Sequence, residues 1–156
     1  MAIPKTIQNR IPSGVIGEIA FDGPTRARTA ILGSSDASLN VFGSAFTIKD
    51  LANSEVQAGG AGAFAGIMIN PKTNGVELTV PNGNQSEFLD MGEIYAVVTG
   101  ANADTALKTP VYFVPATGAL TLTSEDNTLI PNCVIERNAP TADVPGLCVL
   151  RLTNYG

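Results

Sequence analysis

The residues able to do chemistry are few in this chain, and they are scattered. There are fourteen carboxylates and two cysteines, but no histidine. The missing imidazole removes Ser-His-Asp and Cys-His nucleophile arrangements, His-based zinc sites and the commonest general base near neutral pH. A glycine-rich stretch, AGGAGAFAG at residues 58–66, invites comparison with phosphate-binding loops. It carries no Gly-Lys-Ser/Thr and no amphipathic helix follows, so it reads as a flexible loop or a place where backbones pack closely. Glu125-Asp126-Asn127 offers oxygens to a cation, but one acidic turn falls short of the roughly 6–8 ligands Ca²⁺ takes. Glu87, Asp90 and Glu93 would make a paired-carboxylate site only if the fold brought two of them into a cleft. Tyr95, Tyr112 and Phe113 could stack on a sugar or base. With no Trp in the chain, core and interface packing is the better account of them. No catalytic residue, metal site or cofactor is expected.

Charge narrows the partners. Net charge is −5. Residues 1–30 hold Lys5, Arg10, Arg26 and Arg28 against Glu18 and Asp22, a balance of +2. The remainder holds five basic and twelve acidic residues, a balance of −7. An acidic body argues against nucleic acid, whose phosphates need concentrated Lys and Arg. The basic entry segment suits an acidic partner surface, and suits an ordinary solvated strand end equally well. No apolar run approaches the roughly 20 residues of a membrane span. The opening MAIPKTIQNRIPSG lacks the apolar core of a secretory signal, so synthesis in a cytosol is expected. The Asn84-Gln85-Ser86 sequon then carries no meaning.

The elements that must position these residues are strands. Pro4 and Pro12 exclude a helix across residues 1–12, and the spacing of Ile3, Ile7 and Ile11 then suggests an extended arm that docks on its own domain or on a neighbour. Residues 13–156 are expected to form a single β domain. Alternation predicts strands over Ser13–Phe21, Thr25–Leu32, Val41–Ile48, Ala63–Asn70, Val76–Val80, Ser86–Met91, Glu93–Thr99, Val111–Val114, Leu120–Thr123, Cys133–Glu136 and Leu147–Leu152. Lys49–Glu55 is the best candidate for a helical turn. Asn74-Gly75, Pro81-Asn82-Gly83-Asn84 and Pro115-Ala116-Thr117-Gly118 supply turns. Gly43 marks a bulge or a close backbone approach. Cys133 and Cys148 fall on inward-facing strand positions, with Glu136 and Arg151 facing outward. A cross-strand disulfide is conceivable on geometry, but a reducing compartment favours free core thiols. The sum is roughly nine or ten short strands at about 8–12-residue spacing, the pattern of a single antiparallel β-barrel or β-sandwich.

Several stretches, taken in order, resemble the small cement, or decoration, proteins of tailed bacteriophage capsids. They are Val41-Phe42-Gly43-Ser44-Ala45-Phe46, then Met91-Gly92-Glu93-Ile94-Tyr95-Ala96-Val97, then Val111-Tyr112-Phe113-Val114 with Thr117-Gly118-Ala119-Leu120-Thr121, and the closing strand Leu147–Leu152. The likeness runs over about residues 13 to 153 and lies in the ordered set rather than in any one motif. It implies a structural virion protein on the exterior of the phage head, bound where coat subunits meet and stabilising the shell. It also implies a homotrimer whose partner is the major capsid protein. Ile3, Lys5, Ile7, Arg10, Ile11, Arg26 and Arg28 are then the candidate contact residues. Two other readings compete: a virion or cell-surface carbohydrate-binding β module, and a small trimeric β-barrel nucleotide hydrolase using the 58–66 loop with Asp50 or Glu55.

Overall fold

The computed structural model describes residues 14–21, 23–71 and 79–154. Nine strands are present among them: β1 (Arg26–Leu32), β2 (Ala45–Asp50), β3 (Glu55–Ala58), β4 (Phe64–Met68), β5 (Gln85–Thr99), β6 (Pro110–Phe113), β7 (Leu120–Thr121), β8 (Thr128–Asn138) and β9 (Leu147–Thr153). The only helical turn among the described residues is a 3-10 turn at Ala37–Leu39, capped by the Asp36 carboxylate, which accepts from the Ser38 N–H at 2.9 Å. The fold is all-β, as the alternation predicts. The Asn74-Gly75 turn and most of the Val76–Val80 strand lie outside the described residues.

The organising element is β5, fifteen residues long. On one edge it pairs first with β1 and then with β9, which meet end to end at Met91. On the other edge it pairs with β4 and β7, and the gap between them is filled by residues 17–20. Strand order then closes on itself twice. β1, β3, β2, β4 and β5 form a closed five-stranded barrel, and from the far half of β5 the pairing continues through β7, β6, β8 and β9 back to β5. The sheet is not purely antiparallel, contrary to expectation: β1–β3 and β5–β7 are parallel. Each ring has five strands, and an odd number cannot close with antiparallel neighbours alone, so one pair in each must run parallel.

Two cores lie on opposite faces of the wall that the rings share. Phe46, Met68 and Phe88 point into the first ring with Leu32, Phe42 and Val56. The Phe46 and Phe88 rings sit 5.0 Å apart at 53°, a favourable tilted pairing. The adjacent residues Ala45, Ile67 and Leu89 point the other way, into a second core with Ile94, Val111, Phe113, Ile130, Ile135 and Leu150. This is the period-two alternation of a strand, with both faces buried.

Three local expectations fail. Ser86–Met91 and Glu93–Thr99 are one strand, because Gly92 takes φ 130° and carries the ladder through instead of ending it. Lys49–Glu55 is not helical but the tight turn of a β2–β3 hairpin. The Asp50 carboxylate accepts from the Ala52 N–H (2.9 Å) and the Asn53 side chain (2.6 Å), and Ser54 takes φ 54°. These hydrogen bonds hold the Asp50 carboxyl below the usual carboxylate range. Ser13–Phe21 is no strand over its described part: it turns at Val15–Glu18 and lies against β5 through the isolated bridge of Ile19 to Ile94 and the hydrogen bond from Gly17 N–H to Tyr95 O.

Candidate functional site

The residues with chemical potential are absorbed by structure. At the glycine-rich stretch, Gly59 and Gly60 take φ 63° and 84° and pack on the β6–β7 loop. Gly60 N–H donates to Pro115 O (2.7 Å), Gly59 N–H to Ala45 O (3.0 Å), and Ala45 N–H to Gly118 O (2.9 Å). A Cβ on Gly59 would lie 2.4 Å from Pro115 O, and one on Gly118 2.5 Å from Ala45 O. The glycines therefore form a backbone clasp between the two rings. The buried Thr47 hydroxyl donates to Gly59 O and closes it.

Cys133 and Cys148 are free, buried thiols. Register sets Cys133 opposite Leu152 and Cys148 opposite Asn138, so they are not cross-strand neighbours. Burial pushes both thiols up, Cys148 to about 12 and Cys133 further, the latter also by its proximity to Cys148. Thiols held protonated are poor nucleophiles. Glu125-Asp126-Asn127 forms a turn in which the Asn127 side chain donates to Thr123 O and Glu125 O. No cluster of three or more His, Cys, Asp or Glu suited to a metal occurs among the described residues, and no helix there is long and apolar enough to cross a membrane. Tyr95 and Phe113 are buried, and the Tyr95 hydroxyl accepts from Arg137 (2.8 Å), so these aromatics present no open stacking face.

The surface is more informative. Of the expected contact residues, Ile3, Lys5, Ile7, Arg10 and Ile11 lie outside the described residues. Arg26 and Arg28 both fall on the first half of β1, yet in different settings. The Arg26 guanidinium grips Asp90 in a two-pronged pair, both distances 2.9 Å, and donates to Asn154 O at 2.8 Å. This pins the end of β9 to the start of β1, and the hydrogen bond to Asp90 raises the Arg26 pKa further. Arg28 is exposed.

Arg28 stands at the rim of a groove where β1 and β3 part. The groove is lined by Thr29, Ala30, Ile48, Leu51, Ser54, Glu55 and Val56 besides Arg28, and the Glu55 carboxylate there is already held by Lys49 at 2.7 Å. Ala30 and Val56 belong to the aromatic core, so the groove is the mouth of the first ring. Leu51, at the tip of the β2–β3 turn, is 77% exposed, more than any other large apolar residue described. Sequence reading missed this site. Its one signal was an apolar residue alone among polar neighbours in Lys49-Asp50-Leu51-Ala52-Asn53-Ser54-Glu55, which an amphipathic helical turn would explain as well. A second hollow, lined by Phe21, Pro24, Met91, Gly92, Glu93 and Arg151, lies where β5 bends.

What the described surface offers is contact: a β body with exposed apolar tips and a mouth with Arg28 at its rim. The model of the structural cement protein family (E217 gp24/Pam3 gp6) matches residues 3–153, and the chain belongs to this family of phage structural proteins, whose role is to stabilise the capsid. Among solved structures, a chain from "The capsid of Myoviridae Phage XM1" is similar over 100% of both chains, with a TM-score of 0.73 and 15% sequence identity, a likeness of fold. No curated protein matches.

Proposed function

We propose that this chain is a capsid cement protein that sits on the exterior of a phage head as a homotrimer, clamping neighbouring copies of the major capsid protein where they meet, without enzymatic activity. The observation that carries this is membership of the cement family over nearly the whole chain. In this reading residues 1–12 are an arm and residues 13–156 one domain. The arm, through Ile3, Lys5, Ile7, Arg10 and Ile11, reaches onto the coat protein or an adjacent copy. Its apolar and basic character complements the acidic body of a second copy, since the rest of the chain is strongly negative. A trimer presents three linked contacts, so its avidity exceeds single-site affinity by orders of magnitude, and closed symmetry is the usual state of soluble homo-oligomers.

The test is retention on expanded shells of the phage's own coat protein. The full chain is expected to bind the outer surface and to appear in particle images at positions of coat contact. Deleting residues 2–11 is expected to reduce retention by tenfold or more, as loss of one linked contact would. Undiminished binding by the shortened chain would remove the arm from the reading.

A further inference from the structure

We infer that the mouth of the first ring is a docking site for an extended segment of the coat protein, one that carries an apolar side chain and a carboxylate in adjacent positions. The inference rests on the cement reading and assigns the surface by which the described body meets the shell.

Three observations converge on this mouth. The first is charge. Among the described residues, Lys49 pairs with Glu55 at 2.7 Å, Lys108 and Arg151 pair with Glu136, Arg26 pairs with Asp90, and Arg137 donates to the Tyr95 hydroxyl. Arg28 alone has no ion pair or hydrogen-bond partner there. In a chain of net charge −5, an exposed cation left unneutralised is available to a carboxylate from outside.

The second is backbone. Ile31 N–H donates to Ser54 O and Gly33 N–H to Val56 O, both at 2.9 Å, whereas Leu32 N–H turns the other way, to Asn84 O. Alternation therefore directs the Thr29 N–H and C=O to the β3 side. β3 begins only at Glu55 and pairs with Ile31 and Leu32, so no described strand faces Thr29 on that side, while β5 faces it on the other through Glu87. A short length of open strand edge accepts an added strand, whose main chain supplies the hydrogen bonds and whose alternate side chains enter pockets.

The third is shape. The groove beside this edge has a volume of about 210 Å³ and a predominantly apolar lining. Its floor is Ala30, Ile48 and Val56, and Leu51 overhangs it. An apolar side chain on the added segment enters the mouth and covers Leu51, while its neighbour's carboxylate meets the Arg28 guanidinium. The charge of Arg28 selects an acidic segment of the coat over the chain's own residues 1–13, whose charged residues, Lys5 and Arg10, are both basic.

The test uses the full chain, the variants Arg28→Glu and Leu51→Asp, and shells of the phage's own coat protein assembled without it. Both residues are exposed, so both variants are expected to keep the wild-type melting temperature. Each should weaken shell binding by about tenfold or more, and hydrogen exchange at the Thr29 amide should slow in the wild-type complex. Wild-type binding with both variants binding equally well, or with Thr29 exchange unchanged, overturns the inference and leaves the cement reading standing. Failure of the wild-type chain to bind overturns the cement reading itself. A variant that shifts the oligomeric state while keeping shell affinity would assign the mouth to a second copy and overturn the coat assignment.

Discussion

The two rings that share β5 are built on different terms. The first is filled by aromatic side chains, Phe42, Phe46 and Phe88, with Met68. It is closed on the β1 side by a parallel pairing of only two residues. The second is filled mainly by aliphatic residues, with Phe113 and two thiols. It is closed by seven consecutive antiparallel pairs between β5 and β9, backed by the β8–β9 ladder. The first ring thus has the bulkier filling and leaves a strand edge open. The second has the longest single ladder, although its own parallel seam, β5–β7, is also only two pairs. The difference separates two tasks in one body: the ring with the open mouth is the one equipped to receive a partner, and the ring with the long ladders holds it in place.

The sharpest way to break this comparison is to separate the rings at their clasp. Gly118→Val forces a side chain into Ala45 O at a backbone angle of φ 77°. The expected result is loss of more than about 4 kcal/mol, or no folded protein, since steric and backbone strain act together. Gly83→Ala is the control. Its φ of 87° carries the same backbone strain, but nothing lies within 4 Å, so a cost of about 1–2 kcal/mol is expected. Equal costs by urea denaturation would mean that the clasp contributes only a turn.

The next effect tests whether the rings melt together. Phe46→Ala is expected to cost about 3–5 kcal/mol and Ile135→Val about 0.5–1.5 kcal/mol. Because Phe46 stands on the shared wall beside Ala45, hydrogen exchange should quicken in β8 and β9 as well as in β1–β4. Faster exchange confined to β1–β4 would show two independent units.

The smallest effect belongs to the second ring alone. The folded-state pKa values of Cys133 and Cys148 are raised by burial. An unfolded chain releases these protons first, near the ordinary thiol value of about 8.5. The stability tied to the protonated thiols is therefore complete below that pH and is lost as pH rises toward the folded values. The expected slope above pH 9 is about 1.4 kcal/mol per unit for each thiol. Replacing both cysteines by alanine should flatten it. A slope that persists in the double variant would assign alkaline sensitivity elsewhere.

Much of the fold was legible because alternation is a local signal. Arg151, exposed between the buried Leu150 and Leu152, announces its face without knowledge of any partner strand. Turn chemistry at Pro81-Asn82-Gly83-Asn84 was equally local: Gly83 takes φ 87° there and donates to Leu32 O at 2.8 Å. What escaped was non-local. A glycine at position 92 reads as a break, and only the continuous pairing of β5 with β9 shows that it is a bend. The parallel pairings follow from closing each ring with five strands, a count that no local pattern reveals. For the same reason nothing in the sequence distinguished Arg26 from Arg28, two residues apart. The first meets Asp90 and Asn154 across long loops, and the second meets no such neighbour.

The shared strand also gives the molecule a line of strength. β5 has a contour length of roughly 50 Å at about 3.4 Å per residue, bent at Gly92. Its ladder bonds lie perpendicular to its length, so tension along the strand loads the seven pairs with β9 in shear, and they must fail together rather than unzip one at a time. Over its β9-paired half such a strand behaves as a tie rod, stiff along that axis and passing load from one ring to the other. A fastener oriented with that axis across a seam in a pressurised shell resists the opening of the seam in its strongest direction.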